Sequence, residues 1–108
     1  MIKATFYLNQ DDKYTGFDVI GHAGYAESGK DIICSAVSAL SITTVNAIDS
    51  FTDVNFNGDM DPDGSIRFRI TSNLDENAQL LLSTLALGLT DISNEYGEKY
   101  LQVHYKEV

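Results

Sequence analysis

Apolar residues recur every two residues in some segments of the chain and every three to four residues in others. The order of these segments restricts the fold more than any other feature. Apolar and polar residues alternate in five short segments, as in half-buried strands, and recur at helical spacing in two longer ones. The segments follow the order ββαββαβ. This order predicts an α+β fold in which two amphipathic helices cover one face of a five-stranded, mostly antiparallel sheet.

Polar turn sequences indicate that four of the strands form two hairpins. Asn9–Asp12 and Asp61–Gly64 each lie between two alternating segments. Gly, Asn and Asp readily adopt the backbone conformations of tight turns, and the ring of Pro fixes φ at a value that suits a turn. We therefore predict two antiparallel hairpins, one before each helix.

Helix boundaries are indicated by residues that cap a first turn. Asp31 is a favourable N-cap for the first helix, which we predict from Ile32 to about Asp49. Ser72 or Asn73 is expected to cap the second helix. Both helices have an apolar stripe that would face the sheet.

Length and charge restrict the classes of partner. The 108 residues correspond to a single domain, residues 1–108, with one two-layer core. A net charge of -9, from 16 acidic and 7 basic residues, argues against direct nucleic acid binding. The charge either attracts a basic protein partner or only keeps the protein soluble. The chain has no apolar run long enough for a bilayer and no signal-peptide pattern, so we expect a cytoplasmic protein without membrane contact.

His22 and Cys34 are the residues that best suit a chemical role. Cys34 lies three residues after the predicted N-cap Asp31, in a first turn whose free N–H groups and partial positive charge favour a thiolate. An imidazole that accepts the thiol proton would make this cysteine a nucleophile. Backbone N–H groups near Ile33 and Cys34 are expected to stabilise an oxyanion.

Three glycines lie in or next to the segment that joins His22 to the first helix, namely Gly21, Gly24 and Gly29. Glycine-rich segments of this kind are mobile. We expect a flexible loop that allows His22 to reach Cys34 and that closes over a substrate.

Two further residues have alternative interpretations. Asp31 either caps the helix only or also orients His22, as the acid of a Ser-His-Asp triad does. Ser38 is one helical turn beyond Cys34. It either contacts the substrate or the thiolate, or is an ordinary solvated serine.

The remaining motifs do not indicate a cofactor. The sequence GYAESGKD of residues 24–31 has Asp31 where a phosphate-binding loop needs the hydroxyl that holds magnesium. The acidic turn that begins at Asp59 has Ile70 where a calcium loop needs glutamate. One cysteine and two histidines form no recognisable zinc pattern. We therefore expect neither a metal nor a cofactor.

The sequence GHAGYAESGKDIICSAVSAL, residues 21–40, resembles the signature of the ribosomal-processing cysteine proteases, the Prp family. The similarity extends over the length, the element order and the Asn-Ala-Ile of residues 46–48. The resemblance implies that His22 and Cys34 form the catalytic dyad, and it matches Asp31 and Ser38 without defining their roles.

The same resemblance implies a substrate and an assembly state. The substrate would be a large-subunit ribosomal protein, the twenty-seventh in the standard naming, from which a short N-terminal extension is removed after a hydrophobic, phenylalanine-rich stretch. The resemblance also implies that the chain forms a homodimer. A second class of function stays open from the sequence, a non-enzymatic assembly factor that binds a basic ribosomal protein.

Overall fold

A computed structural model describes residues 1–27 and 30–108 of the chain. Its elements follow the predicted order ββαββαβ. They are β1 (Ile2–Leu8), β2 (Tyr14–Ile20), α1 (Ile32–Phe51), β3 (Phe56–Met60), β4 (Ile66–Ile70), α2 (Glu76–Tyr96) and β5 (Leu101–Glu107).

The five strands form one mixed sheet in the order β3-β4-β2-β1-β5. Strand β2 pairs antiparallel with β1 and β4, and β3 pairs antiparallel with β4. Strand β5 is parallel to β1, because α2 carries the chain from β4 to the opposite edge of the sheet. The predicted hairpins and the mostly antiparallel sheet are confirmed.

One face of the sheet forms the core together with the two helices. Phe6, Phe17 and Phe68 project from three adjacent strands and are fully buried, with neighbouring ring centroids 5.9 and 5.4 Å apart. The opposite face is polar, and Arg69 there donates a hydrogen bond of 2.8 Å to Asp18. The burial of alternate residues confirms that both helices cover one face.

Helix α1 begins after Asp31, as predicted, and ends at Phe51, slightly beyond the predicted Asp49. Its buried positions recur at helical spacing and are Ile33, Val37, Ser41 and Ile48. Within residues 1–27 and 30–108, α1 is the one helix whose length and mean hydropathy of 1.5 would suit a membrane span. The core helices of soluble proteins meet the same criterion.

Helix α2 has a different N-cap from the one predicted, so the choice of Ser72 or Asn73 is wrong. Oδ1 of Asp75 accepts the N–H groups of Asn77 and Ala78 at 2.8 and 3.0 Å. Capping residues occur three times within four positions, and only the packing of the helix against the core determines which of them precedes the first turn.

Candidate active site

A cavity of about 270 Å³ lies between the end of β2, the first turns of α1 and the turn that joins β3 to β4. His22 and Cys34 both line this cavity, and Ser38 lines it one helical turn further along α1. Asp63 completes it from the β3–β4 turn. The fold therefore places the two residues selected from the sequence at one solvent-accessible site.

Asp31 holds the start of α1 and the preceding loop together. The residue is 8% exposed, and its Oδ1 accepts the N–H groups of Ile33 and Cys34 at 3.1 and 3.0 Å. Oδ2 accepts the N–H of Tyr25 at 3.1 Å. Asp31 is thus an N-cap that also tethers the loop, and within the described part of the chain it makes no hydrogen bond to His22.

The hydrogen bonds to Asp31 keep its carboxyl ionised. Burial alone would raise its pKa, but the backbone N–H groups of Cys34, Tyr25 and Ile33 outweigh burial, and the pKa is lowered. A negative charge consequently lies next to the thiol at neutral pH.

The half-buried sulfur of Cys34 accepts a hydrogen bond of 3.2 Å from the backbone N–H of Ala23. Burial raises the pKa of the thiol, the Ala23 N–H lowers it, and the charge of Asp31 raises it again, so that the pKa is above its ordinary value. In the part of the chain that the structure describes, no hydrogen bond joins His22 to Cys34. The thiol is therefore protonated at neutral pH in this conformation.

The expected oxyanion donors are already engaged. Both Ile33 N–H and Cys34 N–H donate to Asp31, so the expectation that these groups hold an oxyanion is wrong for this conformation. The N–H of Ala23 is the backbone donor that lies beside the sulfur.

The loop leaves β2 through a position that only glycine can occupy. Gly21 has a φ of +100°, and a Cβ added there would lie 2.3 Å from the carbonyl oxygen of Met1. Gly24 has a φ of +69°. Gly29 lies outside the described residues, and the predicted flexibility of the loop stays a prediction.

Tyr25 fixes the middle of the same loop against the end of α2. Its ring packs edge-on against the rings of Tyr96 and Tyr100, with centroids 5.8 and 5.2 Å apart. Aromatic pairs of this geometry add stability beyond the area that they bury. Tyr25 is therefore anchored by its backbone N–H at Asp31 and by its ring at these two tyrosines.

Asp63 is the site residue that the sequence did not identify, because its pattern predicts only a turn. The N–H of Ser65, 3.0 Å from Oδ1, lowers the pKa of the Asp63 carboxyl, and the nearby His22 contributes in the same direction. The pairing of Val19 with Ile66 brings this turn beside the end of β2. The proximity of Asp63 to His22 depends on this pairing and cannot be seen in the sequence.

Metal ligation has no support in the described ranges. Across residues 1–27 and 30–108, no three His, Cys, Asp or Glu side chains are grouped so as to hold an ion. The groups that line the active-site cavity include the thiol of Cys34, the imidazole of His22 and the carboxylate of Asp63.

Comparison with known proteins finds relatives over nearly the whole chain. The ribosomal processing cysteine protease Prp of Staphylococcus aureus is 34% identical over 98% of this chain and 100% of the relative. The protein of the same name from Bacillus subtilis is 32% identical over 89% of this chain and 90% of the relative.

Solved structures give the same result. A crystal structure of Prp from S. aureus with a covalently linked product peptide has a TM-score of 0.92 and 32% identity, over 98% of this chain and 100% of that one. SMU.848 from Streptococcus mutans has a TM-score of 0.82 and 32% identity, over 100% and 96%. The family model described as cysteine protease Prp matches residues 1–101. The chain therefore belongs to the Prp family of cysteine proteases.

Proposed function

We propose that the chain removes the N-terminal extension of a large-subunit ribosomal protein, the twenty-seventh, with Cys34 as nucleophile and His22 as base. The main support for the proposal is the cavity at the start of α1, which both side chains line. The relatives named as ribosomal processing proteases support the substrate class.

The first step requires that His22 accept the thiol proton. The raised pKa of Cys34 makes the free thiol a weak nucleophile, so an imidazole brought beside the sulfur is needed to form the thiolate. The thiolate then attacks the scissile carbonyl, and the imidazolium donates its proton to the leaving amine. Water hydrolyses the thioester and frees the N-terminal fragment.

Charge supports a basic substrate. The chain carries a net charge of -9, which favours association with a positively charged ribosomal protein and not with nucleic acid. Association of this kind slows as salt screens the charges. Stopped-flow binding of the Cys34→Ala variant to the precursor protein is expected to show a falling association rate between low and physiological salt. A rate independent of salt would contradict this part of the proposal.

The two histidines allow a matched test of the dyad. A synthetic peptide that spans the extension and the first residues of the mature protein is incubated with the reduced enzyme and analysed by mass spectrometry. We expect two fragments with wild type and with His104→Ala, since His104 is exposed on β5 and does not line the cavity. His22→Ala is expected to leave the peptide intact. If wild type leaves the peptide intact, the proposed substrate is wrong.

We also propose that two copies associate in the cytoplasm through the outer face of α2. Leu80 and Leu87 lie two turns apart on this helix and are 66% and 63% exposed. Two exposed leucines on one helix face form a surface that the same face of a second copy can cover across a two-fold axis. Sedimentation of Leu80→Glu is expected to give a monomer where wild type gives a dimer, and equal masses would contradict the interface.

A further inference from the structure

A second cavity, of about 170 Å³, lies directly beyond the active-site cavity along α1. Its lining is mainly apolar and comes from α1 and from the β3–β4 hairpin, with the side chains of Ile42, Val45, Phe56, Met60 and Ile66. It opens to solvent at its rim, where Met60 is 56% exposed. An apolar cavity of about 150 Å³ is large enough to hold benzene.

The same two elements form the walls of both cavities. Along α1, Cys34 and Ser38 line the active-site cavity, and Ile42 continues this row into the second cavity at a spacing of four residues. On the opposite wall, Asp63 lines the first cavity and Met60 the second, on the same hairpin. The two cavities therefore follow one another between α1 and the β3–β4 hairpin, and together they are called the groove below.

The groove owes its second cavity to a glycine in an edge strand. Gly58 pairs with Phe68, so a side chain at this position would point toward the helices. A Cβ there would lie 3.4 Å from the ring of Phe56 and 4.0 Å from Val45, at ordinary contact distances. The space above Gly58 is thus open because the residue lacks a side chain, and a larger residue would fill it without backbone strain.

Helix geometry gives the distance from the nucleophile. Ile42 and Val45 lie about 12 and 16 Å from Cys34 along the helix axis, at 1.5 Å per residue. An extended peptide advances about 3.3 Å per residue. A substrate bound along the groove would therefore reach the second cavity about four residues from its scissile bond.

We propose that the cavity above Gly58 is a specificity site that accepts one large apolar side chain of the substrate, three to five residues from the scissile bond. This inference rests on the proposed peptidase function and adds the residue that the enzyme selects. The occupant is the substrate itself, because this cavity follows the site of cleavage between the same two elements and its size and lining suit an aromatic or branched aliphatic group.

The test combines a filled cavity with a shortened substrate side chain. Peptides with alanine at each position within six residues of the cleaved bond are assayed for kcat/KM with wild type and with Gly58→Val. We expect alanine at one apolar position, three to five residues away, to lower kcat/KM for wild type about tenfold or more. Gly58→Val is expected to lower kcat/KM for the parent peptide similarly but to change it little for that alanine peptide, since both changes remove the same contact.

Two variants control for folding and for position. Asn57→Val makes the same kind of change on the opposite face of β3 and is expected to leave every kcat/KM unchanged. Met60→Glu, at the exposed rim, is expected to show the same coupling as Gly58→Val even if the latter is poorly folded by circular dichroism. If Gly58→Val and Met60→Glu each lower kcat/KM equally for the parent peptide and for the alanine peptide, the proposal is overturned.

Other outcomes separate this inference from the function on which it rests. Cleavage by wild type with no coupling to Gly58 or Met60 would overturn the specificity site and leave the peptidase proposal standing. No cleavage of any peptide by wild type would overturn both. A changed sedimentation of free Gly58→Val, with an unchanged kcat/KM for the parent peptide, would make the groove an interface between copies and would also overturn the site.

Discussion

The two helices of this fold start in nearly the same way, yet only one of the starts lies at a candidate active site. Asp31 and Asp75 each accept two backbone N–H groups of their first turn on a single carboxylate oxygen. Three residues after the cap, α1 has Cys34 and α2 has Ala78. The local backbone is equivalent at both ends, and the side chains and surroundings differ.

The difference between the two ends lies in what else each cap contacts. The second oxygen of Asp31 accepts an N–H from Tyr25 in the loop, and the same loop supplies Ala23 N–H to the sulfur of Cys34. Asp75 makes no comparable loop contact among the described residues. A capped helix start is therefore a structural device by itself, and the start of α1 differs in having a loop that donates to the sulfur and a histidine that lines the same cavity.

The largest effect is expected from the residue that distinguishes the two ends. Cys34→Ser should lower peptide hydrolysis by at least about 10³-fold, because a hydroxyl is far less acidic than a thiol and is not ionised by a single imidazole. Thermal unfolding should stay near that of wild type, as the sulfur is only half buried. The matched control is Ser50→Ala, an exposed position on α1. Retained cleavage by Cys34→Ser would remove the distinction between the helix ends.

Removal of each cap compares the two ends directly. Asp31→Ala and Asp75→Ala should each lower the free energy of unfolding by about 1 to 2 kcal/mol, measured by urea denaturation, because each frees two N–H groups of the first helical turn. Only Asp31→Ala should also lower kcat/KM, by about tenfold or more, since it releases the loop at Tyr25. Equal activity of the two variants would show that the loop tether has no catalytic consequence.

The charge of Asp31 should be visible in the reactivity of the thiol. Burial and the adjacent carboxylate raise the pKa of Cys34, so iodoacetamide should alkylate the free protein more slowly at pH 7 than an exposed cysteine. Asp31→Asn removes the charge and should increase this rate about threefold, with its midpoint at lower pH. Asp75→Asn is the control at the other helix and should match wild type. A slower rate with Asp31→Asn would contradict the electrostatic assignment.

The smallest effect concerns stability in acid. The pKa of Asp31 is lowered in the folded chain, so its contribution to stability is present above the ordinary carboxyl pKa of about 4 and is lost as the pH falls below that value. Wild type should therefore lose more free energy of unfolding than Asp31→Asn between pH 5 and pH 3, measured by urea denaturation. Parallel curves for the two proteins would contradict the lowered pKa.

The sequence predicts those features that depend on neighbouring residues. The cap at Asp31, the start of α1 at Ile32 and the hairpin turns follow from local chemistry and are confirmed. The nearness of Asp63 to His22 was missed because it depends on the pairing of β2 with β4, which joins segments far apart in the chain.

Local reasoning also fails where several groups compete for one partner. The first turn of an isolated helix has free backbone N–H groups. In α1, however, the carboxylate of Asp31 accepts those of Ile33 and Cys34. At α2, three potential caps lie close together in the sequence, and core packing selects Asp75. In both cases the outcome is determined by tertiary geometry that composition and spacing do not contain.

The most direct test of the central claim is the intact mass of the enzyme during turnover. A peptide with an activated ester in place of the scissile amide makes acylation fast, so that the acyl-enzyme accumulates before hydrolysis. After an acid quench, the mass of wild type should increase by that of the acyl fragment, and fragment mapping should place the thioester at Cys34. Unmodified protein with continued cleavage, or an adduct at another residue, would contradict the assignment of Cys34 as the nucleophile.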